Sequence, residues 1–522
     1  MKHRAAILGG AILGFALAWM FLVAIACHLV GVPHVRVAQL FALLSAGWAL
    51  RAAWRSSDQE AGLWRWLLRT ALATGLVLVA TNLLWSARFA MLRRQMRAQG
   101  LPASLAELPA PPAGARYAEQ DMEKEFDRLT KAGAKFDTDA KDFSATIKAL
   151  HGDGFLIGSP AHSTLHQLPS GAVGHLDALI KKYPQYFAAL DGTLGRIIDR
   201  SERYAYRDPS GWAASPYEIP GGLPKYAKLV NMGRGYRLLA ERQALRGDWS
   251  GSWRSTGRAV KLALLVSRDP FLIAKMIAVA NAGIAVGGVY GSLSFSPAAI
   301  LPPGLGRSFS DLRGELSVTQ GFMGEAAATL DQRAWLRKKW NRNSLGDISR
   351  VDFLLGKVGL YLGFDDANRL AALKRDFIPM AQAAGWPVKN WHPRDQAYYD
   401  ARGWTGGLTG FSGTTNFESL YQKEMEARTK LHFAVIVGAL HAVRARSGHW
   451  PPALKSLVPH ELAADLLTDP FTGKDFGYAV RDKAKGYELF SAGAWGTRLD
   501  SKGGNLEVVE PLPPAQTKKE KK

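Results

Sequence analysis

An apolar run from Ala5 to Val30, AAILGGAILGFALAWMFLVAIACHLV, constrains this chain more than any other feature. It is longer than the about 20 residues a helix needs to cross a bilayer. A second run, Leu67 to Trp85, has Trp64, Trp66 and Trp85 at its edges, and Arg65 and Arg69 close enough to one end for their heads to reach the interface. Both runs predict transmembrane helices. Between them Val37 to Leu50 is short for a span, although a snorkelling Arg51 extends it toward Trp54. If that segment crosses, the N-terminus and the rest of the chain lie on opposite sides; if it lies in the interface, they share one. Arginine counting leaves both topologies open. Lys2, Arg4, Arg51, Arg55 and Arg65 oppose Arg36, Arg88, Arg93, Arg94 and Arg97 in the three-span arrangement.

The formal charge of +21 is concentrated. Residues 1–100 hold eleven Lys and Arg against Asp58 and Glu60, a net +9, and the tail from Lys518 to Lys522 adds +3. The basic excess therefore suits anionic lipid headgroups next to an anchor better than nucleic acid. Cys27 is the only cysteine, so no intramolecular disulfide or cysteine-based zinc site forms. Met1 to Arg4, the apolar core and Val23 to Cys27 resemble a bacterial lipoprotein signal. The departure is Ala24 at the position where such signals carry leucine. An uncleaved anchor is the reading kept, since a secretory signal core has about 7–15 apolar residues.

Residues 101–117, LPASLAELPAPPAGARY, form a Pro/Ala-rich linker. A helical domain is predicted over 118–430. Met122, Phe126 and Leu129 recur at helical spacing, and Phe136, Phe143, Ile147 and Leu150 are further core candidates, whereas Gly152 to Ser170 reads as loop. After Pro224, Leu229, Met232, Tyr236 and Leu239 share one face. Gly247-Asp248 breaks that helix, and Trp253, Val260 and Leu264 resume a face up to Asp269-Pro270. Such a hairpin suits either a bundle or a solenoid. Phe271 to Phe295 is apolar throughout, but Lys275, Asn281 and its glycines and serines favour a buried helix over another span. Further helices are expected over Leu312–Leu336, Val351–Phe364 and Arg369–Ala384, followed by a loop, Gly403–Thr415.

Residues 431–510 change character. A helix to about Arg446 leads into Ser447-Gly448-His449-Trp450-Pro451, Leu454 to Pro459, Asp469-Pro470-Phe471-Thr472-Gly473, and Tyr487 to Gly493 ending in Ser491-Ala492-Gly493. Asp-Pro and Thr-Gly mark turns, and Phe476/Tyr478 and Tyr487/Leu489 alternate as strands laid on the helix. This order resembles the globular part of the major pseudopilin of type II secretion systems, and the tail of membrane-anchored bacterial proteins that share it. The resemblance implies a small α+β module on the periplasmic side of an inner membrane. Two departures limit it. Gly410-Phe411, set against a Gly-Phe-x-x-x-Glu processing site, is followed by polar residues and has Glu418 too far on; Trp495 stands where the family's calcium loop has its first acid, leaving Asp500.

Chemistry is sparse. His162 and His166 are four apart but lack the glutamate of a zinc protease and sit among Ser-Pro and Leu-Pro signals. His432 and His441 are too far apart to share an ion and read as surface or interface residues. Asp365 and Asp366 read as the first turn of a helix. No Gly-x-Ser-x-Gly elbow, phosphate-cradling loop or dinucleotide fingerprint occurs. Arg333, Arg337, Lys338, Lys339 and Arg342, interleaved with Trp335 and Trp340, form the densest basic and aromatic patch, which suits lipid headgroups, a polyanion or a solvated helix.

The sequence thus predicts a mainly α protein. It has N-terminal transmembrane helices over 1–100, a 101–117 linker, a helical bundle or solenoid-like body over 118–430, a small C-terminal α+β pseudopilin-like module over 431–510 and a basic tail over 511–522. Binding or scaffolding at the cell envelope is the expected role, with membrane lipids and an envelope protein as partners and no nucleic acid. An envelope hydrolase with a site built from distant residues, and a lipid- or polyanion-surface binder, are the alternatives. No catalytic, cofactor-binding or metal-ligating residue is assigned.

Overall fold

The computed structural model describes residues 83–109, 116–131, 172–201, 222–295, 300–339, 417–481 and 486–491, with shorter pieces within 142–146, 162–164, 204–205, 370–378 and 507–510. The apolar runs 5–30 and 37–50, most of 67–85, Cys27, His166, 351–366, 403–415, Trp495 to Asp500 and the 511–522 tail lie outside them. The chain divides into two compact units, residues 1–103 with 333–376 and residues 104–332 with 377–522.

In the first unit a helix over 83–98 buries Trp85, Phe89, Leu92 and Met96 along one face, and ends before Gly100, whose φ of 71° is left-handed.

The second unit is mainly α. Its helices are α1 (Ala118–Lys131), α2 (Ala172–Lys182), α3 (Pro184–Asp191), α4 (Thr193–Asp199), α5 (Gly222–Leu245), α6 (Trp249–Ser267), α7 (Leu272–Phe295), α8 (Pro303–Glu315), α9 (Val318–Lys339, of which residues 318–332 belong to this unit) and α10 (Phe417–Ser447). The strands are β1 (Arg116–Tyr117), β2 (His162–Thr164), β3 (Tyr204–Ala205), β4 (Gly477–Arg481), β5 (Gly486–Phe490) and β6 (Glu507–Glu510).

The α5–α6 hairpin follows the sequence closely. Leu229, Met232, Tyr236, Leu239, Trp253 and Val260 are buried, and Leu264 is partly so. Gly247 turns the chain at φ 77°, and the Asp248 side chain caps α6 by accepting from Gly251 N at 2.9 Å. Among the described residues α7 alone is long and apolar enough to cross a membrane, yet it packs against α5, α6 and α10 and is a core helix. Its Lys275, buried, donates to Ser267 O and to Gln320 Oε1 (3.0 Å), so its charge finds acceptors inside the fold.

The structure revises several expectations. The single helix expected over Leu312–Leu336 is two, α8 and α9. Leu316 is extended, Gln320 N donates to Ser317 Oγ at 3.3 Å, and Val318 N donates to Glu424 Oε2 at 2.6 Å, so α9 begins on its own caps. Gly321 and Gly324 let α9 cross close over the start of α7: a Cβ at Gly324 would stand 2.0 Å from Pro270 O. The Gly152–Ser170 loop contributes β2, which pairs with β6 in the sheet order β2-β6-β5-β4. Pairing with a distant segment overrides the local turn composition. The linker is fastened at its start, where Leu105 N donates to Asp331 Oδ2 at 2.8 Å and Leu108 packs with Phe271, Ala327 and Ala328.

Helix α10 runs without a break through residue 431. One apolar core extends from Met122 and Leu176 through α5, α6 and α7 to Phe476, Tyr487 and Leu489, so the C-terminal strands share the core of the helices before them.

Candidate functional site

The C-terminal motifs are structural joints. Asp469, buried, accepts Phe471 N through Oδ1 (2.9 Å) and the Ser491 hydroxyl through Oδ2 (2.8 Å), linking the Asp-Pro turn to the end of β5. Gly473 completes that turn at φ 70°, its N–H donating to Asp469 O at 2.8 Å. Tyr478 and Leu489 are register partners across β4 and β5, and the Tyr478 hydroxyl donates to Pro451 O at 2.9 Å. Trp450 lies edge-on to Tyr487 and His441, with ring centroids at 4.7 and 5.4 Å, while Arg444 covers its face at 4.4 Å.

His432 and His441, read from sequence as surface or interface residues, are both buried. His432 meets Phe476 and His441 meets Trp450, rings supplied by segments that follow α10, contacts that spacing on the helix alone cannot reveal. His432 Nδ1 donates to Leu466 O at 3.0 Å, and Nε2 faces Arg313 Nη1 at 3.3 Å as an acceptor. Burial, with the Arg313 guanidinium alongside, pushes its pKa down to about 4, so the ring is neutral at physiological pH. Arg313 continues to Asp465 Oδ2 at 2.5 Å, tying α8, α10 and the Ala464–Leu467 turn together.

A second buried group gathers at the start of α9. Glu325 accepts Leu272 N at 3.2 Å, and burial pushes its carboxyl up to about 7. Glu424, also raised by burial, caps α9 and pairs with Arg428 at 2.7 Å. Both glutamates accept buried backbone N–H groups at helix starts, where the helix itself supplies no acceptor. Each has a structural task at a helix start.

A cleft of about 420 Å³ lies between α1 and α4, lined by Asp121, Lys124, Glu125, Arg128, Thr193, Arg196, Ile197 and Arg200. Lys124 and Arg128 are one helical turn apart on α1; Arg196 and Arg200 are one turn apart on α4 and its C-terminal cap. Two basic pairs thus flank the same space. Buried Glu125 accepts Arg128 at 2.9 and 2.7 Å and the Thr193 hydroxyl at 2.6 Å, crossing from one helix to the other. The Arg128 guanidinium, with Thr193 assisting, holds the Glu125 carboxyl below the usual carboxylate range. Helix α4 is pinned from behind by Arg258, which reaches Asp191 at 2.8 Å and Asp199 at 2.9 Å. A Cβ at Gly195 would stand 2.7 Å from Arg258 Cζ, so the contact is flush.

Sequence reading passed over this cleft. Its one signal, Lys/Arg at i and i+4 in two separate helices, is common on solvated faces, and only the fold brings the pairs together. Among the residues singled out, His162 lies in β2, Glu418 lies in α10, and the backbone of Arg333, Trp335, Arg337, Lys338 and Lys339 continues α9; Trp340 and Arg342 lie outside the described residues. No group of three or more His, Cys, Asp and Glu placed to hold a metal ion occurs among the described residues. Comparison with family models, with curated proteins and with solved structures finds no match to this chain.

Proposed function

We propose that this chain is a membrane-anchored envelope protein that works by binding, as a scaffold or receptor component. The apolar runs at 5–30 and 67–85 hold it in the inner membrane, and its helical body and pseudopilin-like C-terminal module stand on the periplasmic side. The observation that carries this reading is the placement of α7. The one described helix apolar enough to enter lipid is instead wrapped by α5, α6 and α10, which supports a body built for water and leaves the crossing to the N-terminal runs. The link between Asp469 and Ser491 supports the module reading, because it joins two of the motifs on which the resemblance rests. Partners on this reading are membrane lipid and an envelope protein, and the role is binding rather than turnover.

A fusion made after residue 117 tests the placement. An alkaline phosphatase reporter there is expected to be active, and the intact chain is expected to sediment with membranes and resist carbonate extraction. A reporter active only as a cytosolic enzyme, or a chain that stays in the supernatant, would sink the reading.

A further inference from the structure

We infer that the cleft between α1 and α4 is a binding site for a phosphate-bearing anion, either a free phosphomonoester or the phosphate of a lipid headgroup. Charge and preorganisation argue for it together. The lining carries Lys124, Arg128, Arg196 and Arg200 against Asp121 and Glu125, a net +2 from four cations and two anions. A phosphomonoester near neutral pH carries about −1.5 to −2 charges, so it balances the site where a single carboxylate would leave it cationic.

The two acids are already engaged. Glu125 is held by Arg128 and Thr193, and Asp121 lies 4.0 Å from Lys124. Arg196 and Arg200 make no hydrogen bond or ion pair to another side chain among the described residues, although Arg196 senses the Glu125 charge, and both are exposed. Their guanidinium forks are therefore open to a tetrahedral oxyanion, for which arginine geometry is well suited.

Both walls are fixed before any ligand arrives. The Glu125–Thr193 bridge sets the distance between α1 and α4, and Arg258 of α6 holds α4 through Asp199 and the end of α3 through Asp191. A rigid cleft loses little freedom on binding, which favours affinity. Its volume of about 420 Å³ admits a small phosphorylated molecule or a headgroup rather than a folded partner.

The test uses the full chain purified in detergent, in chloride buffer, and depends on no assumption about which side of a membrane the body occupies. Glycerol phosphate, and separately a short-chain phosphatidic acid kept below its micellar concentration, are titrated by isothermal calorimetry. Saturable binding is expected. Arg196→Ala/Arg200→Ala is expected to weaken it on the order of a hundredfold, as loss of charge-assisted bonds implies, without moving the thermal unfolding midpoint. Lys455→Ala/Lys474→Ala, in the C-terminal module, serves as a charge control and is expected to leave binding unchanged. Equal affinity for the two probes assigns the phosphate alone; tighter binding of the phosphatidic acid assigns a headgroup. Absence of saturable binding to both probes, survival of binding in the double arginine variant, or an equal loss in the lysine control overturns the inference.

Discussion

The α5–α7 seam and the segment packed on α10 solve the same problem, covering a helix, by opposite means. Against α10, large rings fill the space: Phe433 of α10 meets Phe476 at 4.9 Å, and Trp450 meets Tyr487 at 4.7 Å. In the seam, glycines withdraw so that charge can enter. Arg237 and Glu241 of α5, both buried and 2.8 Å apart, lie against Gly287 and Gly291 of α7, where a Cβ would stand 2.6 Å from Arg237 Nη1 and 2.8 Å from Glu241 Oε1. Ser252 and Ser292 meet at 2.8 Å nearby, between α6 and α7. Removing one member of a buried ion pair leaves the other charge desolvated in the core, a cost that removing both avoids.

The sharpest way to break that contrast is to remove one member of the seam pair. Arg237→Met leaves Glu241 without the guanidinium 2.8 Å away and is expected to destabilise the body by about 3–5 kcal/mol, seen as a lowered denaturation midpoint followed by circular dichroism. The double variant Arg237→Met/Glu241→Leu removes the desolvated charges altogether. It is expected to recover most of that loss. If the single variant matches wild type, the seam is held by packing alone and its glycines have no electrostatic role.

This contrast also explains what the sequence could reveal. The hairpin was legible because Leu229, Met232, Tyr236 and Leu239 repeat at helical spacing and Gly247-Asp248 is a strong stop and start. Residues Phe476, Tyr478, Tyr487 and Leu489 were legible because strand alternation is local. Arg237 and Glu241 were not, since a charged pair at i and i+4 ordinarily marks a solvated helix face; only Gly287 and Gly291, on another helix, make room to bury it. Partner choice hid β2 in the same way, because its strand exists only through β6. The candidate cleft needed two helices brought together across more than sixty intervening residues, from Arg128 to Arg196, and no periodicity carries that information.

His432 sharpens the comparison through pH, with a smaller expected effect. The charged groups felt by its ring are Arg313 on α8, Arg428 on its own helix and Asp465 from the following turn. Its pKa falls from 6.5 unfolded to about 4 folded, so below pH 6.5 the unfolded chain takes up the proton first. Stability is therefore expected to drop by about 2–3 kcal/mol as pH falls from 6.5 to 4, through this group alone. His432→Gln keeps a donor and an acceptor but cannot titrate. Urea denaturation across that range is expected to show a shallower acid slope in the variant; equal slopes would mean that the ring is not held neutral by the fold.

The smallest effect concerns the joint that the two C-terminal motifs form. Ser491→Ala removes a 2.8 Å hydrogen bond to the buried Asp469 side chain while leaving the Phe471 N–H on its other oxygen. A loss of about 1.5 kcal/mol is expected, typical of a hydrogen bond to a charged group. Asp469→Ala removes the same contact from the other side, together with the bond to Phe471 N, and the double variant is expected to be less damaging than the sum, with a coupling of about 1 kcal/mol in a denaturation cycle. Additive losses would show that the bond is incidental and that the turn holds itself. Strong coupling would mean that the Asp-Pro turn and the Ser-x-Gly end of β5 are one structural unit written in two places, so the spacing between them, more than either motif, is what the fold selects.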